Sequence, residues 1–285
     1  MNPLLKWPGG KRRIAENIAQ RIRPYMDDRG RYVECFAGGA AVFFHLEPKK
    51  AVLVDICKPL MAFYEALRRE PDAVSDELDR LQELPFCKET YDALKKEWNG
   101  HDYGVKFAAR LLYLNRTCFN GLFRLNEELW FNAAWGKMEK MPTFPPREEL
   151  RRASDLLGRA SLYSNGYSLV LRATHKGDVV FADPPYWGTY DRYAGRSFTE
   201  KDQRQLARRL QSAVKRGVSV FSSNIDCESI RGLYSSWSQI DIIKVRHKIG
   251  KTAESRKDVD EVIITAIPPM QDRRQLGLFN GAVSG

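Results

Sequence analysis

The stretch Val179-Val180-Phe181-Ala182-Asp183-Pro184-Pro185-Tyr186 decides how this chain is read. Four apolar residues in a row have the pattern of a buried parallel strand, and the run stops at an acid and two prolines. In open α/β sheets, chemistry gathers at the carboxyl ends of the strands. The two prolines fix φ and offer carbonyls without N–H groups of their own, so the loop is stiff and rich in acceptors. It suits a flat heterocycle that carries an amino group. Asp183 and the Pro184 carbonyl would accept its two N–H bonds, and Tyr186 would stack on its ring. A strand followed by an inert Pro-rich turn has the same local pattern, so the rest of the chain must decide.

Upstream, residues 31–36 (Arg-Tyr-Val-Glu-Cys-Phe) read as a strand, residues 37–41 as a glycine turn and residues 42–46 as an apolar helix. Ala51-Val52-Leu53-Val54 is a second strand, ending at Asp55. This is a βαβ unit with glycines at its first turn and an acid placed to accept from ribose hydroxyls. The glycines do not follow G-x-G-x-x-G, which tells against a nicotinamide dinucleotide. An adenosine-type ligand such as S-adenosylmethionine remains, beside the plainer reading of a βαβ core. Residues 4–11 form a Gly-rich loop in which Lys11 adds a positive charge ahead of a helix starting near Arg12. The loop serves either a ligand or the capping of that helix.

From residue 58 to about 145 the strand pattern gives way to helical spacing over 60–67, 72–84, 89–98 and 105–115. Within this block, residues 114–126 crowd Asn, Arg and aromatic side chains around a glycine, with flanks expected to be β-like, as in a hairpin. Asn and Arg read purine edges, and an exposed Phe suits a wedge beside a vacated base; an ordinary helix followed by a hairpin is the alternative. Downstream, a helix is expected over 147–158, a short strand over 161–164, a basic helix over 200–216 capped by Thr199, and a strand over 218–222. An antiparallel pair over 239–245 and 259–266 flanks a basic loop whose Arg246, Lys248, Arg256 and Lys257 are candidates for phosphates. Residues 268–285 read as a flexible tail.

The chain has 285 residues and a formal net charge of +10, which favours a polyanionic partner. Its five cysteines are scattered and its four histidines form no ligand pair, which argues against a disulfide framework or a zinc site. No apolar run has the length of a membrane span and the cysteines fit a reducing cytosol, so a cytoplasmic protein is expected, and a monomer.

In order along the chain, LKWPGGK (5–11), ECFAGGAAVF (34–43), VDI (54–56), LNRTCFNGLFRLN (114–126), DPPY (183–186), SFT (197–199), SSN (222–224) and RKDVDEVI (256–263) resemble the DNA adenine methylase family. The resemblance spans residues 4 to about 267. It implies an α/β, Rossmann-like methyltransferase fold with a mixed, mostly parallel seven-stranded sheet. It also implies catalytic segments at 1–57 and 145–269, a helical target-recognition insert at 58–144 and a tail at 270–285. The implied reaction is methyl transfer from S-adenosylmethionine to N6 of an adenine flipped out of double-stranded DNA, in a GA-containing site such as GATC. Methylation of cytosine N4, or of adenine in RNA, is the alternative. By residue, the resemblance implies Asp183, Pro184 and Tyr186 for catalysis. Trp7, Lys11, Phe36, Gly38, Asp55 and Asp183 are implied for the cofactor. Phe119, Asn120, Leu122 and Arg124 are implied for the bases. In the tail, Gln275, Leu276, Leu278 and Phe279 resemble the short motif by which proteins bind the bacterial sliding clamp, although three apolar residues folding back on the core would read the same.

Overall fold

In the computed structural model, β1 (Tyr32–Cys35), α2 (Ala41–Leu46, after α1 at Ala15–Ile22) and β2 (Ala51–Val54) form the expected βαβ unit. The structure describes residues 1–98, 102–121, 123–188, 192–193, 196–249 and 257–269, and the backbone alone at 192–193, 196, 244–249 and 257–259. After β2 come four helices, α3 (Lys58–Arg69), α4 (Pro71–Gln82), α5 (Lys88–Glu97) and α6 (Val105–Thr117). They are followed by α7 (Arg147–Leu157), β3 (Ala160–Tyr163), α8 (Tyr167–Arg172) and β4 (Val179–Ala182). A two-residue pair, β5 (Arg192–Tyr193) and β6 (Arg196–Ser197), precedes α9 (Glu200–Lys215), β7 (Ser219–Ile225), α10 (Glu228–Tyr234), β8 (Gln239–Ile249) and β9 (Lys257–Ala266).

The expected mixed sheet is present, in the order β3-β2-β1-β4-β7-β9-β8. Its β3-β2-β1-β4-β7 portion is parallel, and β9 joins β7 and β8 antiparallel. Alternate residues of the central strands feed two different cores, as the two-residue period of a strand requires. Tyr32, Leu53, Val179 and Phe181 face one, with α1, α2, α3, α4, α6 and α7. Val33, Val54, Val180 and Ala182 face the other, with α9 and α10. Both faces are covered, which is why β2 and β4 read as unbroken apolar runs rather than as alternating ones.

Local signals place the helix starts. Pro59 occupies the first turn of α3, where its missing N–H costs nothing, and Leu60, Phe63, Tyr64 and Leu67 form the buried stripe. Thr199 closes a capping box with Asp202, the Thr199 N–H donating to Asp202 Oδ2 at 2.8 Å. Four expectations shift. The antiparallel pair is longer than 239–245 and 259–266, because pairing resumes beyond a register shift, so Arg246 and Lys248 lie on β8 and Lys257 opens β9 rather than lying in the loop between them. The first helix starts at Ala15 rather than near Arg12, since a turn from the Lys11 carbonyl to the Ile14 N–H precedes it. β7 continues through Ser223 and Asn224 to Ile225, because β9 pairs with it to that point. Helices α8 and α10 escaped the periodicity because they are only 6 and 7 residues long, each with few buried positions.

Glu34 is buried in β1 and accepts from the Tyr32 hydroxyl at 2.8 Å and the Phe43 N–H at 2.9 Å, tying β1 to α2. Burial pushes its carboxyl up to about 8, against the pull of both bonds. The unfolded chain ionises this group near 4.5, so the folded state holds an extra proton between the two values and loses stability as pH rises across that window. Glu34→Gln keeps an acceptor oxygen without the proton. Its melting temperature relative to the parent chain is expected to climb from about pH 5 to about pH 8 and then level off. A difference that does not change with pH would show that Glu34 is already ionised in the fold.

Candidate active site

The strand order reverses direction between β1 and β4: β1 leads outward to β2 and β3, while β4 lies on its other side. The loops leaving two such neighbours diverge and open a crevice at their carboxyl ends. At that edge stand Phe36 and Gly38 after β1, Asp55 after β2, Asp183 after β4 and the end of β7.

Asp183 is fixed there from three sides. Its Oδ1 lies 2.7 Å from Lys11 Nζ and accepts the Ser223 hydroxyl at 2.6 Å, and its N–H approaches the Cys35 carbonyl at 3.5 Å. Among the described residues, Oδ1 takes both side-chain bonds and none is directed to Oδ2. Lys11 is 6% exposed; its Nζ also donates to the Gly9 carbonyl at 2.9 Å and sits 4.7 Å from the centre of the Tyr186 ring. Burial pushes the Asp183 carboxyl above its ordinary value, and the Lys11 ammonium and Ser223 hydroxyl offset only part of that rise. The Tyr186 phenol is pushed far up by burial, reinforced by the carboxylates of Asp183 and Glu261.

The glycine turn is organised by Asp55. Its Oδ2 accepts the Gly38 N–H at 2.9 Å and its Oδ1 the Cys57 N–H at 2.9 Å. The Tyr64 hydroxyl donates to the Gly38 carbonyl at 2.7 Å. Gly38 has φ +47°, and a Cβ there would lie 2.8 Å from Trp7 Cδ1, so both the backbone conformation and the Trp7 indole exclude a side chain. Phe36, also at positive φ, meets Tyr167 at 5.0 Å and Phe198 at 5.5 Å between ring centres, forming an aromatic wall beside the turn.

Trp7 joins this crevice to the segment after α6. Its ring stacks on Phe123 at 4.4 Å and 22°. Asn115 holds the arm beside it, accepting the Lys6 N–H at 2.8 Å and donating to the Lys6 carbonyl at 2.9 Å. The β-like flank expected from Leu114 is instead helical through Thr117, because Leu111, Leu112, Leu114 and Asn115 are all buried on α6. Beyond it the hairpin reading survives loosely, in isolated antiparallel bridges Cys118↔Trp135 and Leu125↔Phe131. Phe119 is 52% exposed, Asn120 has φ +54°, and the Arg124 Nε donates to Asn132 Oδ1 at 2.8 Å. At Gly121 a Cβ would meet the Lys6 side chain at 2.3 Å, so the turn lies directly on the N-terminal arm. Leu122, Arg256, Gln275, Leu276, Leu278 and Phe279 lie outside the described residues, as do the side chains of Arg246, Lys248 and Lys257.

The profile of the D12 class N6 adenine-specific DNA methyltransferase family matches residues 7–249. The chain belongs to that family. A DNA adenine methylase of Vibrio cholerae is 32% identical over 276 residues, covering 94% of this chain and 97% of the relative. The DNA adenine methylase of Escherichia coli K12 is 30% identical, covering 91% and 93%. The type II methyltransferase M.MjaIII of Methanocaldococcus jannaschii is 28% identical, covering 90% and 96%. Membership makes the chain an adenine-specific DNA methyltransferase, which sets aside the cytosine and RNA alternatives.

In this methyltransferase, the Asp-Pro-Pro-Tyr loop, Lys11, Phe36, Gly38 and Asp55 lie together at the strand ends, with Trp7 linking them to Phe123 in the segment that carries Asn120 and Arg124. Neither Tyr167 nor Gln203 carries a signal in the sequence, and Phe198 and Ser223 lie in motifs that assign them no role of their own. Tyr167 and Gln203 look like ordinary helix-face residues, and only the meeting of α8 and α9 with the strand ends brings them in. Gly38→Ala is expected to destabilise the enzyme by about 1–3 kcal/mol, the cost of a side chain in the left-handed region, with the Trp7 clash added. Thermal or urea melts measure it. An unchanged melting transition would mean that the turn relaxes away from Trp7.

Proposed function

We propose that the enzyme transfers a methyl group from S-adenosylmethionine to N6 of an adenine turned out of duplex DNA, in a GA-containing site, with GATC the first candidate. The observation that carries the reading is the division of labour on Asp183. Lys11 and Ser223 satisfy Oδ1, and Oδ2 is left to accept at the edge of a crevice walled by Pro184 and Tyr186. The residues present suit the methyl donor as well: Asp55 stands just beyond the end of β2, where an acid accepts from ribose hydroxyls, and Phe36, Tyr167 and Phe198 offer ring faces for a purine. When bound, S-adenosylmethionine supplies an electrophilic methyl group on a sulfonium.

The adenine amine is a poor nucleophile because its lone pair is conjugated into the ring. Asp183 Oδ2 and the Pro184 carbonyl accept its two hydrogens, which turns the lone pair out of conjugation and places acceptors where positive charge grows on nitrogen. Lys11 fixes the carboxylate by holding Oδ1, and its charge over the Tyr186 ring steadies the ring on which the base stacks. The raised basicity of Asp183 suits it to receive the proton that the methylated amine sheds. The helical segment 58–144 is the target-recognition part of this reading. Arg124, braced by Asn132, is its guanine reader and Phe119 its exposed aromatic beside the vacated base.

Asp183→Ala is expected to abolish methylation while DNA affinity stays near that of the parent enzyme, as measured by gel shift. Activity within about tenfold of the parent would remove Asp183 from the chemistry. Plasmid treated with the enzyme is expected to resist a GATC endonuclease that N6-methyladenine blocks. Complete cutting, with methyladenine mapped elsewhere by single-molecule sequencing, would reject GATC and leave the reaction standing.

A further inference from the structure

Beyond Asp183 the loop has few backbone donors, because Pro184 and Pro185 have no N–H to give. Two buried amides supply the anchorage instead. Gln203 of α9 is 1% exposed and its Nε2 donates to the Pro185 carbonyl at 2.7 Å. Asn224 of β7 is fully buried; its Oδ1 accepts the Trp187 N–H at 3.1 Å and the Ile225 N–H at 2.9 Å. The circuit closes where Asn224 Nδ2 donates to Gln203 Oε1 at 3.3 Å.

The orientation of both amides follows from the circuit. Two N–H groups face one end of Asn224, so that end is the oxygen and the Nδ2 group turns to Gln203. Gln203 must then present Oε1 to Asn224 and Nε2 to the Pro185 carbonyl. Each of the four amide atoms has a partner, so burial costs the pair no unsatisfied group. The two loop groups they hold, the Pro185 carbonyl and the Trp187 N–H, lie on either side of Tyr186 in the chain. Gln203 also takes the Pro185 carbonyl, one residue beyond the Pro184 carbonyl read above as the acceptor for the adenine amine. The capping box at Thr199 sets the start of α9, and with it the face on which Gln203 projects.

We propose that Gln203 and Asn224 are positioning residues for methyl transfer: together they clamp the backbone on both sides of Tyr186 and so set the ring and the Pro184 carbonyl against the flipped adenine. The proposal rests on the reading of Asp183, Pro184 and Tyr186 given above. A loop displaced by a fraction of an ångström still admits cofactor and DNA but no longer aligns the amine, so the loss falls on the chemical step.

The test compares the full-length parent enzyme with Gln203→Met, which keeps the length and removes both bonds, and with Asn224→Leu, which keeps the approximate size and removes the bonds to Trp187, Ile225 and Gln203. Single-turnover methylation of plasmid DNA, cofactor and DNA affinities, and melting temperature are measured for each, with Asp183→Ala alongside. Both variants are expected to methylate about tenfold or more slowly while their affinities stay within about threefold of the parent. A rate within about threefold of the parent in either folded variant overturns the proposal, as does a loss of affinity that parallels the loss of rate. Failure of both variants to fold assigns the pair to the core and overturns it equally. If Asp183→Ala still methylates, the reading of the loop fails. If it does not, and Gln203→Met matches the parent, this inference alone fails.

Discussion

The structure turns on one ion pair, Lys11 to Asp183 at 2.7 Å, in which the ammonium is almost wholly removed from water. Taking two charges out of water costs several kcal/mol for each ion, and mutual attraction offsets that only where further bonds complete both shells. Here the Gly9 carbonyl and the Tyr186 face complete Lys11, and the Ser223 hydroxyl completes the same carboxylate oxygen. The pair therefore does more than hold the N-terminal arm to the end of β4. It fixes which oxygen of Asp183 is occupied and which is left to accept, and that division underlies the proposed chemistry.

Because Lys11 is pinned, the arm before it is pinned too, and it runs along three parts of the molecule. Trp7 fills the space above Gly38, where no side chain fits, and stacks on Phe123 from the segment after α6. Asn115 clasps the Lys6 backbone from both sides, and the Lys6 side chain lies on Gly121. The glycine turn, the aspartate and the proposed base-reading segment thus share one short peptide as their common wall. The helices after β2 belong to the same apolar core as the strand face beneath them. A close-packed core transmits displacement rather than absorbing it, so the arm physically joins the proposed base-reading segment to the Asp183 loop.

Polar groups, not apolar ones, hold the far side of the loop. Residues 222–224 each reach toward the β4 end: Ser222 to the Ala182 carbonyl, Ser223 to Asp183 and Asn224 to the Trp187 N–H. Along a strand, neighbouring side chains point to opposite faces, so β7 supports the Asp183 loop from both faces of the sheet at once. Extension of β7 to Ile225 by pairing with β9 is what makes this possible, because a strand ending at Ser222 would leave the next two residues unplaced.

By itself, the sequence determined those parts of the protein that local physics controls. The apolar runs at 51–54 and 179–182 can be buried only as strands covered on both faces. The stripes of α3, α4, α5 and α6 follow from helical spacing, and Thr199 caps α9 through bonds within four residues. The ordered motifs placed the chain in its family, because each carries a backbone or side-chain requirement that few other residues meet. Only the tertiary structure decided what depends on separated elements meeting. That Lys11 reaches Asp183, that Tyr167 joins Phe36, that Leu114 to Thr117 stays helical and that Gln203 turns to the Pro185 carbonyl are encounters between residues distant in sequence. A side chain's spacing along its own helix or strand states which face it occupies. What that face meets is set by the order of the strands and the crossing of the helices above them.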